Sequence, residues 1–246
     1  MRVLDLFSGI GGFSLGLERT GGFETVAFCE IDPYAQRVLR KHWPEVPIYE
    51  DVRTLTGERL AADGIAVDVI TGGFPCQDLS VAGKRAGIDG ERSGLWSEIV
   101  RLAGDLRPRF IILENVANLL AGPSEKRGAW FGRVLGDLAR LGYDAEWENI
   151  PAAAVGAPHR RERVWIVAHP ERSQQPREES LCGGAFGMGR EFQSVPWNRT
   201  PERALREFRR VDDGLSYRVD RTDGIRNAVV PQIPEMIGRA ILEAGA

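Results

Sequence analysis

The strongest constraint on this chain is a recurring unit: a short apolar run, a turn carrying glycine or an acid, then a helix-length stretch. Apolar runs at residues 3–7, 25–29, 46–49, 67–71, 110–114 and 164–168 are the candidate strands. Between them, periodicity predicts helices over Gly12–Glu18, Pro33–His42, Leu95–Leu106 and residues 130–141. Arg107-Pro108 and Gly142 stop the last two. Crossovers of this length join parallel strands, so the pattern predicts an α/β, Rossmann-like, doubly wound and mostly parallel sheet.

The pattern breaks near His169-Pro170, where the chain turns polar, Arg-rich and rich in Gly and Pro. The expected division is a main domain over 1–168, a small irregular insert over 169–214 and a segment over 215–246 that returns to the main domain. Pro234 opens the expected last helix, with Ile237, Ala240 and Ile241 on one face. Three cysteines, Cys29, Cys76 and Cys182, are too few and too odd in number for a disulfide framework. Together with the lack of a signal-peptide pattern and of a membrane-length apolar run, this predicts a cytoplasmic protein without membrane contact.

A net charge of −3 argues against bulk electrostatic coating of nucleic acid. From residue 156 to 239, however, 15 Arg face 12 Asp and Glu, and the whole chain holds only Lys41, Lys84 and Lys126. Arginine suits bidentate contact with phosphates and guanine edges, although a compositional bias would also replace Lys by Arg.

Leu4-Asp5-Leu6-Phe7-Ser8-Gly9-Ile10-Gly11-Gly12 reads as a strand, a glycine turn and a helix start. Such a turn lets backbone amides approach an anionic group. Glu30 ends the second run, placed for ribose hydroxyls, and Asp51 closes the third, placed for an adenine amino group. The final spaced glycine of the dinucleotide fingerprint is missing, which favours a nucleoside with a short charged tail, such as S-adenosyl-L-methionine, over NAD.

Cys76, in Gly72-Gly73-Phe74-Pro75-Cys76-Gln77, follows the fourth run. A lone cysteine is commonly a small buried hydrophobe, but one in a loop at a strand's carboxyl end can act as a thiolate nucleophile. Glu114 ends the fifth run beside apolar residues, where a carboxyl can be held protonated or merely cap a helix. Arg161 and Arg163 share a face if extended, as a paired anion and carbonyl clamp or as a solvated basic edge.

In this order and across about four-fifths of the chain, these segments resemble the DNA cytosine-C5 methyltransferase family. Asp5-Leu6-Phe7-Ser8-Gly9-Ile10-Gly11-Gly12, Glu30-Ile31-Asp32, Asp51-Val52, Pro75-Cys76-Gln77, Glu114-Asn115-Val116, Arg161-Glu162-Arg163 and Asn227-Ala228-Val229-Val230-Pro231-Gln232 carry the resemblance. Gln is usual where His159 stands, and Gly where Arg226 stands. The resemblance implies a DNA (cytosine-5-)-methyltransferase, with Cys76, Glu114, Arg161 and Arg163 catalytic and no metal. It places Phe7, Ser8, Gly9, Ile10, Gly11 and Gly12 at the cofactor, with Glu30, Ile31, Asp51 and Val52 around its nucleoside. Pro75, Leu95, Asn227 and Ala228 complete that set. It further implies double-stranded DNA as substrate, a monomer, a cognate restriction endonuclease as a potential partner, and residues 169–214 as an unusually short target-recognition region.

Overall fold

The computed structural model describes residues 1–74, 94–122, 128–157, 159–170 and 228–245. Its centre is one seven-stranded sheet in the order β3-β2-β1-β4-β5-β7-β6. The strands are β1 (Arg2–Leu6), β2 (Glu24–Cys29), β3 (Ile48–Tyr49), β4 (Val69–Gly73), β5 (Phe110–Val116), β6 (Tyr143–Pro151) and β7 (Glu162–Pro170). The first five run parallel, while β7 is antiparallel to both β5 and β6. The helices are α1 (Gly12–Glu18), α2 (Pro33–His42), α3 (Gly57–Ala62), α4 (Leu95–Leu106), α5 (Ala129–Arg140) and α6 (Gln232–Ala244).

Alternation along the strands divides the core in two. Leu4, Leu6, Ile70, Ile111, Leu113 and Ile166 face Trp96, Ile99 and Leu102 of α4 and Val134 and Leu138 of α5. Val3, Val69, Ile112, Trp165 and Val167 face Phe13 and Leu17 of α1 and Ile233, Ile237 and Ile241 of α6. The contact between α1 and α6 is close because glycine permits it. A Cβ on Gly16 would lie 2.2 Å from the Pro231 carbonyl, and one on Gly12 would lie 2.5 Å from that of Val229. Residues 228–245 are thereby drawn over the sheet beside β1.

The differences from the sequence reading have local causes. Only Ile48–Tyr49 of residues 46–49 forms a ladder, since Pro47 has no N–H and contributes only its carbonyl, which accepts from Phe28. The fourth strand begins two residues later than expected, and just before it the Asp68 carboxylate accepts from the backbone and guanidinium of Arg2 at 2.8–3.0 Å. Strand β6 and helix α3 were not expected from periodicity. β6 is an edge strand with Asp144, Glu146, Trp147 and Glu148 half-buried or exposed, so it lacks an apolar run. α3 spans under two turns and buries Leu60 alone.

Thr25 on β2 is 4% exposed, and its hydroxyl has no hydrogen-bond partner among the described residues. Replacing it with isosteric valine removes an unsatisfied polar group at a strand position that favours β-branching. Thr25→Val is expected to stabilise the fold by about 1 kcal/mol, read as a melting temperature raised by roughly 2–4 °C; a lowered one contradicts this account.

Candidate active site

Strand order reverses between β1 and β4, so a crevice opens at their carboxyl ends. β1 leaves the sheet through a turn with three left-handed residues: Phe7 (φ 53°), Gly9 (φ 53°) and Gly11 (φ 85°). Positive φ at Phe7 is strained and needs support from its surroundings. The Ser8 hydroxyl supplies some by donating to the Asp5 carbonyl at 2.5 Å. The turn is jammed on one side and open on the other. A Cβ on Gly11 would lie 2.6 Å from the Trp43 ring, whereas one on Gly9 would meet nothing within 4 Å among the described residues.

Glu30 is tied to this turn directly. Its Oε2 accepts from the Gly9 amide at 2.7 Å and its Oε1 from the Asp32 amide at 2.8 Å. Burial pushes the carboxyl above its ordinary range while these backbone donors hold it down. Each oxygen keeps a second lone pair, so the group can still accept from ribose hydroxyls. Ile31 beside it is 65% exposed, an unusually bare aliphatic face, and Phe7 is half-buried. Asp51 differs, because Arg53 grips both its oxygens at 2.7–3.0 Å and holds its carboxyl below the usual range. An adenine amino group would have to share Asp51 with that guanidinium. Val52 is buried, and its carbonyl accepts from Arg101 at 3.0 Å. Leu95 is half-buried at the first position of α4. An open amide-lined turn, a bare aliphatic face and two strand-end acids suit a nucleoside carrying a short charged tail.

The second half of the crevice is electrostatic. Glu114, 8% exposed on β5, lies opposite Gly73 of β4 and Trp165 of β7. Its Oε1 is 2.9 Å from Arg163 Nε and 3.7 Å from Arg161 Nη2. Burial pushes the Glu114 carboxyl above its ordinary range, against the pull of Arg163 and Arg161. Burial and the neighbouring Arg163 also bring Arg161 below its ordinary value. Arg161 Nη1 donates to the Ala228 carbonyl at 2.6 Å, joining the returning segment to the pocket. Ile150, Ala152, Trp165, Val230 and Ile233 complete the walls around these three charges. His159 is exposed.

The structure thus brings Glu114, Arg161, Arg163 and Ala228 together, and separately Gly9, Glu30 and the turn from Phe7 to Gly12. Pro75, Cys76 and Asn227 lie outside the described residues, as do Arg226 and residues 171–214 of the insert. Asn115, the middle residue of Glu114-Asn115-Val116, has a role that the sequence does not announce. It is 2% exposed, its Nδ2 donates to the Phe74 carbonyl at 3.1 Å, and its Oδ1 accepts from Val116 at 2.8 Å. It therefore fixes the end of β4 two residues before Cys76. A carboxamide following Glu114 at the end of an apolar run was the signal available.

Residues 1–230 match the model of the C-5 cytosine-specific DNA methylase family. Type II methyltransferase M2.BsuMI of Bacillus subtilis is 40% identical over 172 residues, covering 68% of this chain and 42% of that protein. Type II methyltransferase M.NgoMIV of Neisseria gonorrhoeae is 42% identical over 166 residues, covering 67% and 50%. The chain thus spans about half the length of these curated relatives. Among solved structures, a Spodoptera frugiperda DNMT2 mutant shares the fold, with a TM-score of 0.59 and 21% identity over 76% of this chain and 56% of that one.

Arg163 is the nearer of the two cations that oppose burial at Glu114. In Arg163→Gln that opposition weakens, and Glu114 should titrate at a higher pH than in the wild type, followed by carboxyl carbon-13 shifts. A downward shift, or none, contradicts the electrostatic account.

Proposed function

As the chain belongs to the C-5 cytosine-specific DNA methylase family, we propose that it methylates C5 of cytosine in double-stranded DNA with S-adenosyl-L-methionine, Cys76 being the nucleophile. One observation carries the reading: a desolvated carboxyl, Glu114, held by two arginines on the strand next to the one leading to Cys76. The target base is flipped from the duplex, because C5 and C6 are closed to attack inside the stack.

The Cys76 thiolate forms a bond to C6, and the C5–C6 π electrons move onto C5 and the ring. Glu114, protonated, donates to N3 and accepts from the exocyclic amine, which draws that density into the ring. Arg163 contacts the cytosine O2, while Arg161 holds the Ala228 carbonyl and steadies the pocket. S-adenosylmethionine would supply an electrophilic methyl group that bonds to C5 of this adduct, its departure leaving a neutral thioether. Loss of the C5 proton to water then restores the double bond and expels Cys76 as thiolate. Phe7, Ile31, Glu30 and the amides of the glycine turn hold the nucleoside, with Asp51 and Val52 at its adenine end. Ser8, Pro75, Leu95, Asn227 and Ala228 complete the cofactor pocket. Residues 169–214 supply base recognition, and a restriction endonuclease reading the same sequence is the natural partner of this activity.

An oligonucleotide carrying 5-fluorocytosine tests the chemistry, because fluorine blocks the final elimination. A denaturation-stable adduct is expected with S-adenosylmethionine present; no adduct with any DNA, despite cofactor binding, overturns the reading. Cys76→Ser should lower turnover by about three orders of magnitude or more while leaving cofactor affinity nearly intact. Replacing Arg206, Arg209 and Arg210 with Ala should weaken DNA binding and flatten its dependence on salt. An unchanged salt slope removes those three from the interface.

A further inference from the structure

The most deeply buried carboxyl among the described residues has no part in this chemistry. Asp5, near the carboxyl end of β1, is 0% exposed, against 7% for Asp137 and 8% for Glu114. Its Oδ1 accepts from the Thr71 hydroxyl of β4 at 2.7 Å, and its Oδ2 from the Ser14 hydroxyl of α1 at 2.8 Å. Ser14 and Thr71 are themselves 0% exposed. Burial pushes the Asp5 carboxyl up to about 7, while the two hydroxyl donors hold it down and the Glu30 charge adds to the rise. An apolar trio would fill this space without the desolvation penalty, so stability alone does not explain the arrangement.

Its position does. Asp5 and Ser14 bracket the glycine turn, and the Asp5 carbonyl also accepts the Ser8 hydroxyl inside that turn. The strained Phe7 backbone and the left-handed Gly9 and Gly11 lie within the bracket. Thr71 belongs to the strand that runs on through Gly72 and Gly73 toward Cys76. One carboxylate therefore fixes the first turn of α1, the exit of β1 and the nucleophile's strand to one another.

We propose that Asp5, Ser14 and Thr71 are positioning residues for cofactor binding: their buried hydrogen bonds hold the turn from Ser8 to Gly12 in the shape that receives S-adenosylmethionine. This rests on the reading of that turn as the cofactor site. Ser14→Ala and Thr71→Val delete the two donors with almost no change in volume, and Thr71→Ser keeps the donor while removing a methyl group.

The test is calorimetric titration of the full chain with S-adenosylmethionine, alongside steady-state kinetics. The double variant Ser14→Ala/Thr71→Val should bind the cofactor about tenfold more weakly. Its KM for the cofactor should rise in parallel, while its KM for DNA changes less than about twofold. Thr71→Ser should recover most of the affinity that Thr71→Val loses, a split that general loosening of the fold would not produce. Unchanged cofactor affinity in the double variant, or an equal rise in both KM values, overturns the proposal. Should the double variant not fold, the single variants decide the matter by the same two readouts. If the wild type itself fails to bind S-adenosylmethionine, the reading of the turn falls instead.

Discussion

The site depends first on the desolvation of Glu114 against two guanidiniums. A carboxyl at the end of a parallel strand would ordinarily be solvated, but here an antiparallel strand, β7, closes over that end and brings Arg163 within 2.9 Å. The reversal of direction matters. A parallel neighbour would carry its own carboxyl end to this edge and would need a further crossover to do so. The antiparallel β7 instead enters the sheet there, so Arg161 and Arg163 arrive on its first residues and on the approach to it. Burial and attraction oppose one another at Glu114, and burial prevails.

Arg161 reaches this pocket only because the chain returns to meet it. Its guanidinium donates to the Ala228 carbonyl, and residue 228 is placed by the docking of α6 and the preceding segment on α1. That docking needs Gly12 and Gly16 without a Cβ. Gly12 also belongs to the turn read as the cofactor site. The two halves of the crevice, the glycine turn and the Glu114 pocket, therefore share a wall made of Val229 and its neighbours. A displacement of α1 against α6 moves both.

Much of this was legible in the sequence, for reasons that vary by element. Gly12–Glu18, Pro33–His42 and Leu95–Leu106 were placed at their observed bounds, because each combines an apolar stripe with a clear start or stop, such as Pro33 behind the capping Asp32. Strand β6 escaped because periodicity reports burial, and an edge strand carrying Glu146, Trp147 and Glu148 has little. At the site, motif order named Glu114, Arg161 and Arg163, but no spacing rule could give the bond from Arg161 to Ala228, which joins residues 67 apart. The same holds for Glu30, whose bond to the Gly9 amide makes it part of the turn's own support. Asp5 is visible in the sequence only as part of the glycine-turn motif; its bonds to Ser14 and Thr71 span three elements and leave no local trace.

Asp5 and Glu114 are buried carboxyls, both raised above their ordinary range by desolvation, yet their partners suit them to opposite tasks. A hydroxyl can donate or accept, so Ser14 and Thr71 can turn to satisfy Asp5 whether or not it carries a proton. Its environment is closed and tolerant, which suits a fixed joint. Arginine has only donors. If Glu114 is protonated, neither Arg161 nor Arg163 can accept its O–H, and the proton is left pointing toward whatever else shares the pocket. In the proposed reaction that is N3 of the flipped cytosine, an acceptor. The same guanidiniums that hold the carboxylate in the resting site thus oblige its acidic form to donate elsewhere, and they do so through hydrogen-bond valence, independent of how far the carboxyl has been shifted.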